Sequence, residues 1–316
     1  MPVRNGGRYL ELAVASIIAQ TMREWELIAI DDGSTDATMS ILQRFAAADG
    51  RITVLSGEGT GIVAALNQGI AASRSELIAR MDADDIAMPE RLARQIELMA
   101  ARPDLLASGS TAIRIDTFGK VTGLFSVPTD AFAISHEMMR RSPFIHPTMI
   151  IRRGALMAAG GYRPGCAYAE DYDLWLRMEE AGLLANLAEP TLWFRVHKEQ
   201  TSQTKRLAQR AAAALARQAA IRRRSGMSEG VDMDNSLQEC CAGYLSMRAD
   251  DPANIGDNET KDLTVMLRFM HLRLPRQTVS RLLQRLGGET RHEKLWVLRM
   301  RLASARIADM IMARST

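Results

Sequence analysis

The sequence predicts an α/β fold, a mixed and mostly parallel sheet with helices on its faces, followed by an α-helical C-terminal extension. Three observations predict it. Strand-like and helix-like segments alternate through the first part of the chain, acidic clusters sit where strands end, and strand signals vanish beyond Gln203. Repeated strand, helix, strand units imply a parallel sheet, and ligands of such sheets gather beyond the carboxyl ends of strands. Asp31-Asp32 and Asp82-Ala83-Asp84-Asp85 both fall there.

Leu12, Ile17 and Ile18 belong to an amphipathic helix ending near Gln20-Thr21, and Trp25 to Ile30 reads as a buried strand. Gly33-Ser34-Thr35-Asp36 supplies turn and N-cap chemistry for a helix through about Ala48. Ile52 to Leu55 is the next strand. A glycine-rich turn, Gly57 to Gly61, leads into a helix near Ile62 to Ala72, and Leu77 to Met81 forms the strand before Asp82. Pro89 suits the first turn of a helix running to about Ala101, since it needs no amide donor there. Leu105 to Ser110, Thr111 to Ile115 and Thr148 to Ile151 read as strands, and Ala131 to Arg140 and Asp171 to Glu180 as helices. The alanine- and arginine-rich segment through Arg224 is a good intrinsic helix former. Helical patterns resume at Leu237 to Met247, Lys261 to Leu272, Arg276 to Leu286 and Glu293 to Met312, broken at Pro252, Pro275 and Gly287-Gly288. Two domains are expected, 1–202 and 203–316.

Hydrophobic residues at 47% and charged residues at 24% suit a chain with a real core rather than a disordered one. The net charge of +3 conceals an asymmetry: residues 1–200 carry 20 basic and 25 acidic side chains, a balance of −5, and residues 201–316 carry 20 and 12, a balance of +8. The acidic part suits a carboxylate-lined metal site. The basic part suits an anionic membrane surface, an acidic partner or nucleic acid, against the plainer reading of a solvated helical surface. Cys166 and the pair Cys240-Cys241 lack the spacing of a zinc site or disulfide framework, which points to a reducing compartment. No apolar run approaches the ~20 residues needed to span a bilayer, and no basic-then-apolar leader opens the chain, so a cytoplasmic location is expected.

Asp82-Ala83-Asp84-Asp85 is the sharpest candidate site. Carboxylates so close repel, and holding them together costs free energy unless a cation or hydrogen-bond donors offset it. Magnesium or manganese takes hard oxygen ligands of this kind. The rival reading, an acidic loop capping the following helix, suffices for Asp85. At Asp31-Asp32 a carboxylate can accept hydrogen bonds from a base imide or a ribose hydroxyl, although the motif is also an ordinary cap. Glu170-Asp171-Tyr172-Asp173 opens a helix whose Leu174, Trp175 and Met178 form a core-facing stripe. A helix-opening carboxylate turned toward a cleft can act as a general base, while dipole compensation accounts for Glu170 and Asp173. Arg195 and His197 follow a strand, where Arg195 can neutralise phosphate and His197 can complete a metal shell or pair with phosphate.

Taken in order, the segments Pro2 to Gly7, Asp31 to Asp36, Met81 to Asp85 with Pro89 and Arg91-Leu92, His146-Pro147-Thr148, Glu170 to Arg177 and Arg195-Val196-His197 resemble the family 2 glycosyltransferases, with the GT-A fold. Each motif is weak alone; their order and spacing are specific. The resemblance implies that Pro2, Arg4 and Asp32 surround a nucleotide, that Asp82 meets ribose, and that Asp84 coordinates Mn2+ or Mg2+. It implies that Arg195 and His197 contact diphosphate and metal, and that Asp171 is the catalytic base of an inverting transfer. Through it the expected partners are a nucleotide-sugar donor, a UDP-sugar by preference, and a glycan or lipid-linked acceptor in cell-surface polysaccharide biosynthesis, with no nucleic acid. The Gln-x-x-Arg-Trp motif of processive synthases is missing, which favours single transfers of a hexosyltransferase type. Leu295, Trp296, Leu298, Leu302 and Ile307, mixed with Arg299, Arg301 and Arg306, suit either an interfacial helix at the inner membrane face or packing on the catalytic domain. In the family a hydrophobic strand precedes the segment matching Pro2; here it is almost absent, so the natural start is expected upstream of Met1. The rival classes are a sugar nucleotidyltransferase, whose glycine-rich opening with Arg and Lys is missing, and a catalytically impaired GT-A scaffold.

Overall fold

Strand β2 (Leu27–Asp31) lies between β1 (Pro2–Val3) and β3 (Ile52–Ser56), and both neighbours run parallel to it. The computed structural model describes residues 1–198, 200, 204–250, 257–270, 278–279 and 281–282. Helices α1 (Leu10–Ile18) and α2 (Thr38–Ala48) make the connections, and α3 (Ile62–Ala72) leads from β3 to the next sheet. On α1 the buried Leu10, Ala13, Val14 and Ile17 fall at helical spacing on one face, while Leu12 faces solvent. Leu10 and Val14 pack with Val3, Leu27, Ala29, Ile41, Leu42 and Ile52. Each buried aliphatic side chain of the size of leucine contributes about 1.5–3 kcal/mol.

The second sheet is ordered β4 (Leu77–Ala79), β8 (Ile150–Arg152), β6 (Leu105–Ile115), β9 (Leu183–Arg195), β5 (Ile86–Ala87), with β7 (Val121–Phe125) paired to β6 off this path. Only β6 and β9 pair in parallel here; the other pairs are antiparallel. The parallel grammar of the first eighty residues therefore does not carry through the second sheet. Leu105 to Ile115 forms one strand rather than two, with register shifts against β9 at Leu105/Ala107 and Ser110/Ala112. Thr148 belongs to a 3-10 turn with His146 and Pro147, so β8 begins at Ile150. Pro89 lies in the turn before α4 (Arg91–Ala101), where its carbonyl accepts from Thr21 N at 2.8 Å. Helices α5 (Ala131–Met138), α6 (Arg153–Ala158) and α7 (Glu170–Glu179) complete this part.

Two compact units result, Met1–Arg163 with Glu170–Thr204, and Pro164–Ala169 with the described residues from Lys205 onward. Within the second unit α8 (Arg206–Arg224), α9 (Leu237–Asp250) and α10 (Asp257–Met270) follow the expected helical segments. Alanines at 211, 212, 214, 216, 219 and 220 are buried on α8. The Arg217 guanidinium pairs with the Asp262 carboxylate, which also accepts from Gln218 Nε2 at 2.8 Å. Cys166, Cys240 and Cys241 are buried. The helix expected over Glu293 to Met312 lies outside the described residues, as does most of Arg276 to Leu286. Among the described residues no helix is long and apolar enough to cross a membrane.

Candidate active site

Two sequence-distant loops are stitched together at the end of β2. Asn5, held at φ 51°, donates from its backbone N to Ser34 Oγ at 2.8 Å, and Thr35 N donates to Asn5 Oδ1 at 2.8 Å. Gly6 N donates to Thr38 Oγ1 and Gly7 N to Asp36 Oδ2, each at 2.9 Å. Asp36 is thus spent on local structure. Asp32 is only 3% exposed, accepts from Gly61 N at 3.0 Å through Oδ2, and has Arg4 Nη1 at 3.7 Å. Its Oδ1 is buried and has no protein partner, an arrangement that costs free energy until a donor arrives. Gly57 leaves that oxygen room: a Cβ there would lie 3.2 Å from Asp32 Oδ1 and 3.2 Å from Asp32 Cα. Pro2 and Arg4 belong to this wall, Pro2 in β1 and Arg4 just beyond it.

The acidic run follows β4. One ligand atom from each of Asp82, Asp84 and Asp85 lies within 4.8 Å of the others. Asp82 forms an ion pair with Arg80. Asp84 Oδ2 meets His197 Nε2 at 2.9 Å, and His197 Nδ1 is buried with no protein partner. Asp85 is buried and its Oδ1 accepts from Arg195 N at 2.7 Å. Burial pushes the Asp82 carboxyl above the usual range, Arg80 pulls against it, and Asp84 adds to the rise. Burial raises Asp85 further, followed by repulsion from Asp84 and Asp82.

Arg195 is the last residue of β9 and is 2% exposed. Its Nε donates to the Asp84 carbonyl at 2.8 Å, its Nη1 to the Asp116 carbonyl at 3.0 Å, and its guanidinium carbon stands 4.4 Å from the Tyr9 ring centroid. These bonds make it an anchor of the acidic loop. Tyr9 also stands beside the His197 ring, 5.5 Å between centroids.

Asp171 opens α7, and its Oδ1 accepts from Tyr172 N at 2.7 Å. Burial raises this carboxyl; the Tyr172 N–H and Arg80 lower it, and Asp82 adds to the rise. Asp171 therefore shares an electrostatic neighbourhood with Asp82 and Arg80. Asp173, two residues on, faces the opposite way, into a buried clasp with Arg163 Nε at 3.0 Å and Arg177 Nη2 at 2.8 Å. His146 Nε2 meets Tyr162 OH at 2.8 Å, and burial followed by Arg80 holds this imidazole well below its usual range.

Sequence reasoning missed Arg80 and Tyr9, and it met Arg91 only within the segment around Pro89 that carries the resemblance, without a role. Arg80 interrupts an otherwise apolar strand immediately before the acidic run, a signal that was legible. Arg91 is fully buried beneath the same loop, donating to the Arg80 carbonyl at 2.5 Å, and burial lowers it to about 10. Helical periodicity alone does not separate it from a surface arginine of an amphipathic helix.

Residues 1–159, half of the chain, match the family model described as glycosyl transferase family 2. An uncharacterized glycosyltransferase of Haemophilus influenzae is 31% identical over 208 residues, 63% of this chain and 64% of that protein. The amylovoran biosynthesis glycosyltransferase AmsE of Erwinia amylovora is 32% identical over 182 residues, 57% of this chain and 68% of that protein. The chain thus spans about two thirds of the length of these relatives. A crystal structure of S. aureus TarS 1-349, in complex with UDP-GlcNAc, superposes with a TM-score of 0.57 at 15% identity, covering 91% of this chain and 78% of that chain. That likeness shows a common GT-A fold.

Proposed function

The chain belongs to the family 2 glycosyltransferases, and from that premise we propose that it transfers single sugars, with inversion, from a nucleoside diphosphate donor to an acceptor hydroxyl. A UDP-sugar is the donor we assign. The acceptor we assign is a glycan or lipid-linked glycan of the cell surface, in keeping with relatives named for amylovoran and O-antigen biosynthesis. Residues 1–202 are the catalytic domain. Residues 203–316 carry a charge of +8 that suits peripheral contact with the cytoplasmic face of an anionic membrane.

The observation that carries this reading is the cluster of Asp82, Asp84 and Asp85 ligand atoms within 4.8 Å, in electrostatic reach of the helix-opening Asp171. The residues fit a hard divalent cation. Burial and mutual repulsion push two of the three carboxyls upward, a cost that a dication offsets, and oxygen ligands suit Mn2+ or Mg2+. Asp84 and His197 would hold it, and when bound it supplies positive charge to the departing diphosphate. Pro2, Arg4 and Asp32 take the nucleotide, with the unpartnered Asp32 Oδ1 accepting from the base, and Asp82 takes a ribose hydroxyl. Arg195 serves from behind, fixing the acidic loop.

Asp171 accepts the proton of the acceptor hydroxyl as that oxygen bonds to the anomeric carbon. The bond from that carbon to the diphosphate oxygen breaks in the same displacement, and its electron pair leaves with the nucleoside diphosphate. Attack opposite the leaving group inverts the centre. A panel of nucleotide sugars assayed with and without Mn2+ or Mg2+, with the product's anomeric configuration read by NMR, tests the proposal. Metal-dependent transfer with inversion is expected; retention, or release of pyrophosphate from a nucleoside triphosphate, would overturn it.

A further inference from the structure

The turn that joins β6 to β7 is tightly built. Asp116 Oδ1 accepts from Phe118 N at 2.8 Å and from Lys120 N at 3.0 Å, Asp116 N donates to the Lys120 carbonyl at 2.9 Å, and Gly119 takes φ 86°. This turn holds Phe118 in solvent, 91% exposed. On β7, Val121, Leu124 and Phe125 are 58%, 54% and 43% exposed. A single exposed apolar side chain is ordinary. Four within the eight positions from Phe118 to Phe125 make a contiguous patch, and patches of this kind mark a contact surface.

The patch wraps both faces of the hairpin. Leu124 stands opposite Ile113 and Phe125 opposite Ala112, so these two adjacent side chains point to opposite sides of the sheet. Phe125 stacks on Phe194 with ring centroids 5.7 Å apart and still reaches solvent. A protein docked on one sheet face would cover only one of the two. A second copy paired along β7 accounts for the strand but not for Phe118, which lies beyond its end in the turn. A lipid interface surrounds a hairpin tip on every side. The charge agrees with lipid. Between Asp116 and Asp130 the only charged side chain is Lys120, and the exposed Arg114 lays its guanidinium across Gly123, where an added Cβ would lie 2.8 Å from Nη2. The Asp116 and Asp130 carboxylates are engaged by backbone N–H groups of their own turn and helix cap. Cations beside an apolar tip match anionic headgroups above acyl chains.

We propose that the β6–β7 hairpin is a membrane-docking wedge: Phe118, Val121 and Leu124 enter the interface of an anionic bilayer while Lys120 and Arg114 meet its headgroups. The root of the hairpin is tied to the candidate active site. Ile115 pairs with Arg195, the Ile115 carbonyl accepts from Val196 N at 2.8 Å, and the Asp116 carbonyl accepts from Arg195 Nη1 at 3.0 Å. A hairpin held in the interface therefore keeps the acidic loop close to the membrane surface, where the hydroxyl of a lipid-linked acceptor is presented. That consequence rests on the transfer reading, whereas the membrane contact rests on the hairpin alone.

The test is co-sedimentation of the full chain, without donor or metal, with phosphatidylcholine vesicles that contain phosphatidylglycerol. Phe118→Ser, Val121→Ser and Leu124→Ser combined should lower the vesicle partition coefficient about tenfold or more, because binding scales with the apolar area buried, and should leave Tm and donor binding in solution unchanged. Lys120→Glu should weaken binding to these vesicles by roughly tenfold, with little change on vesicles of phosphatidylcholine alone. Phe118→Trp reads insertion directly: its fluorescence should be quenched by brominated lipid beyond any quenching of the parent's own tryptophans. No vesicle binding by the parent chain would overturn the proposal. Unchanged partitioning of the triple variant would overturn it too, and would leave binding to the basic residues from 203 onward. A dimer of the parent in light scattering that the triple variant abolishes, without added quenching in Phe118→Trp, would give the hairpin to a second copy of the chain instead. Vesicle binding that depends on the hairpin in a protein that transfers no sugar would support the wedge and sink the transfer reading.

Discussion

Replacing Arg195 with methionine separates an anchoring role from a phosphate-binding one. Methionine keeps much of the apolar stem while removing two charge-assisted bonds, Nε to the Asp84 carbonyl and Nη1 to the Asp116 carbonyl. Hydrogen bonds of this kind contribute about 1.5–3 kcal/mol each. The contact of the guanidinium with the Tyr9 ring, 4.4 Å to the centroid, adds up to about 2 kcal/mol in a desolvated setting. Such contributions do not add fully, and an expected loss of ~3–5 kcal/mol matches the cost of breaking buried charged contacts. The backbone bond from Arg195 N to Asp85 survives the substitution, so the loop should loosen at Asp84 more than at Asp85. Urea denaturation should show a lower midpoint with unchanged slope, and calorimetric titration should show Mn2+ affinity falling by about tenfold, as for residues that orient a metal ligand. Stability within about 1 kcal/mol of the parent, together with weakened UDP binding and unchanged Mn2+ affinity, would refute the anchoring role.

Gly57→Ala should crowd Asp32, since the new methyl would stand 3.2 Å from its Cα and Oδ1; the expected outcome is a donor KM raised about tenfold with kcat little changed, measured by steady-state kinetics. Asp173→Asn removes the negative charge that Arg163 and Arg177 share in a fully buried site, and a loss of ~3–5 kcal/mol in denaturant titrations is expected. The pH dependence has a definite sign. The folded-state carboxyls of Asp82, Asp85 and Asp171 lie above their unfolded values, so between those values the native state binds more protons and stability falls as pH rises. Metal-free protein should therefore gain stability as pH falls toward the raised values, Mn2+ should flatten that slope, and the acid limb of the transfer rate should lie above the ordinary aspartate value of about 3.9.

Much of this architecture was legible in the sequence because its signals are local. Leu27 to Asp31 is an apolar run ended by carboxylates, and α1 to α3 follow clean helical spacing with glycine or polar breaks. β5 has two residues, β7 exposes most of its side chains, and β9 contains Glu189 and Pro190, so none gives a clear apolar period; pairing with β6 holds β7 and β9 in the sheet. The site divides in the same way. Asp32, Asp84 and Asp171 are carboxylates at strand ends or a helix start, where sequence pattern points. The duties of Arg80, Arg91 and Arg195 depend on carbonyls and carboxylates brought in from other elements, as with Arg195 and Asp84, and no spacing rule reports that.

The central claim, that the acidic run holds the donor and Asp171 removes the acceptor proton, is tested most directly by measuring donor binding and sugar transfer side by side in Asp84→Ala and Asp171→Asn with Mn2+ present. Asp84→Ala should lose metal-dependent donor binding. Asp171→Asn should bind donor as the parent does and lose transfer by about 10²–10⁴-fold, the usual contribution of a general base. Undiminished transfer by either variant would contradict the role given to that residue.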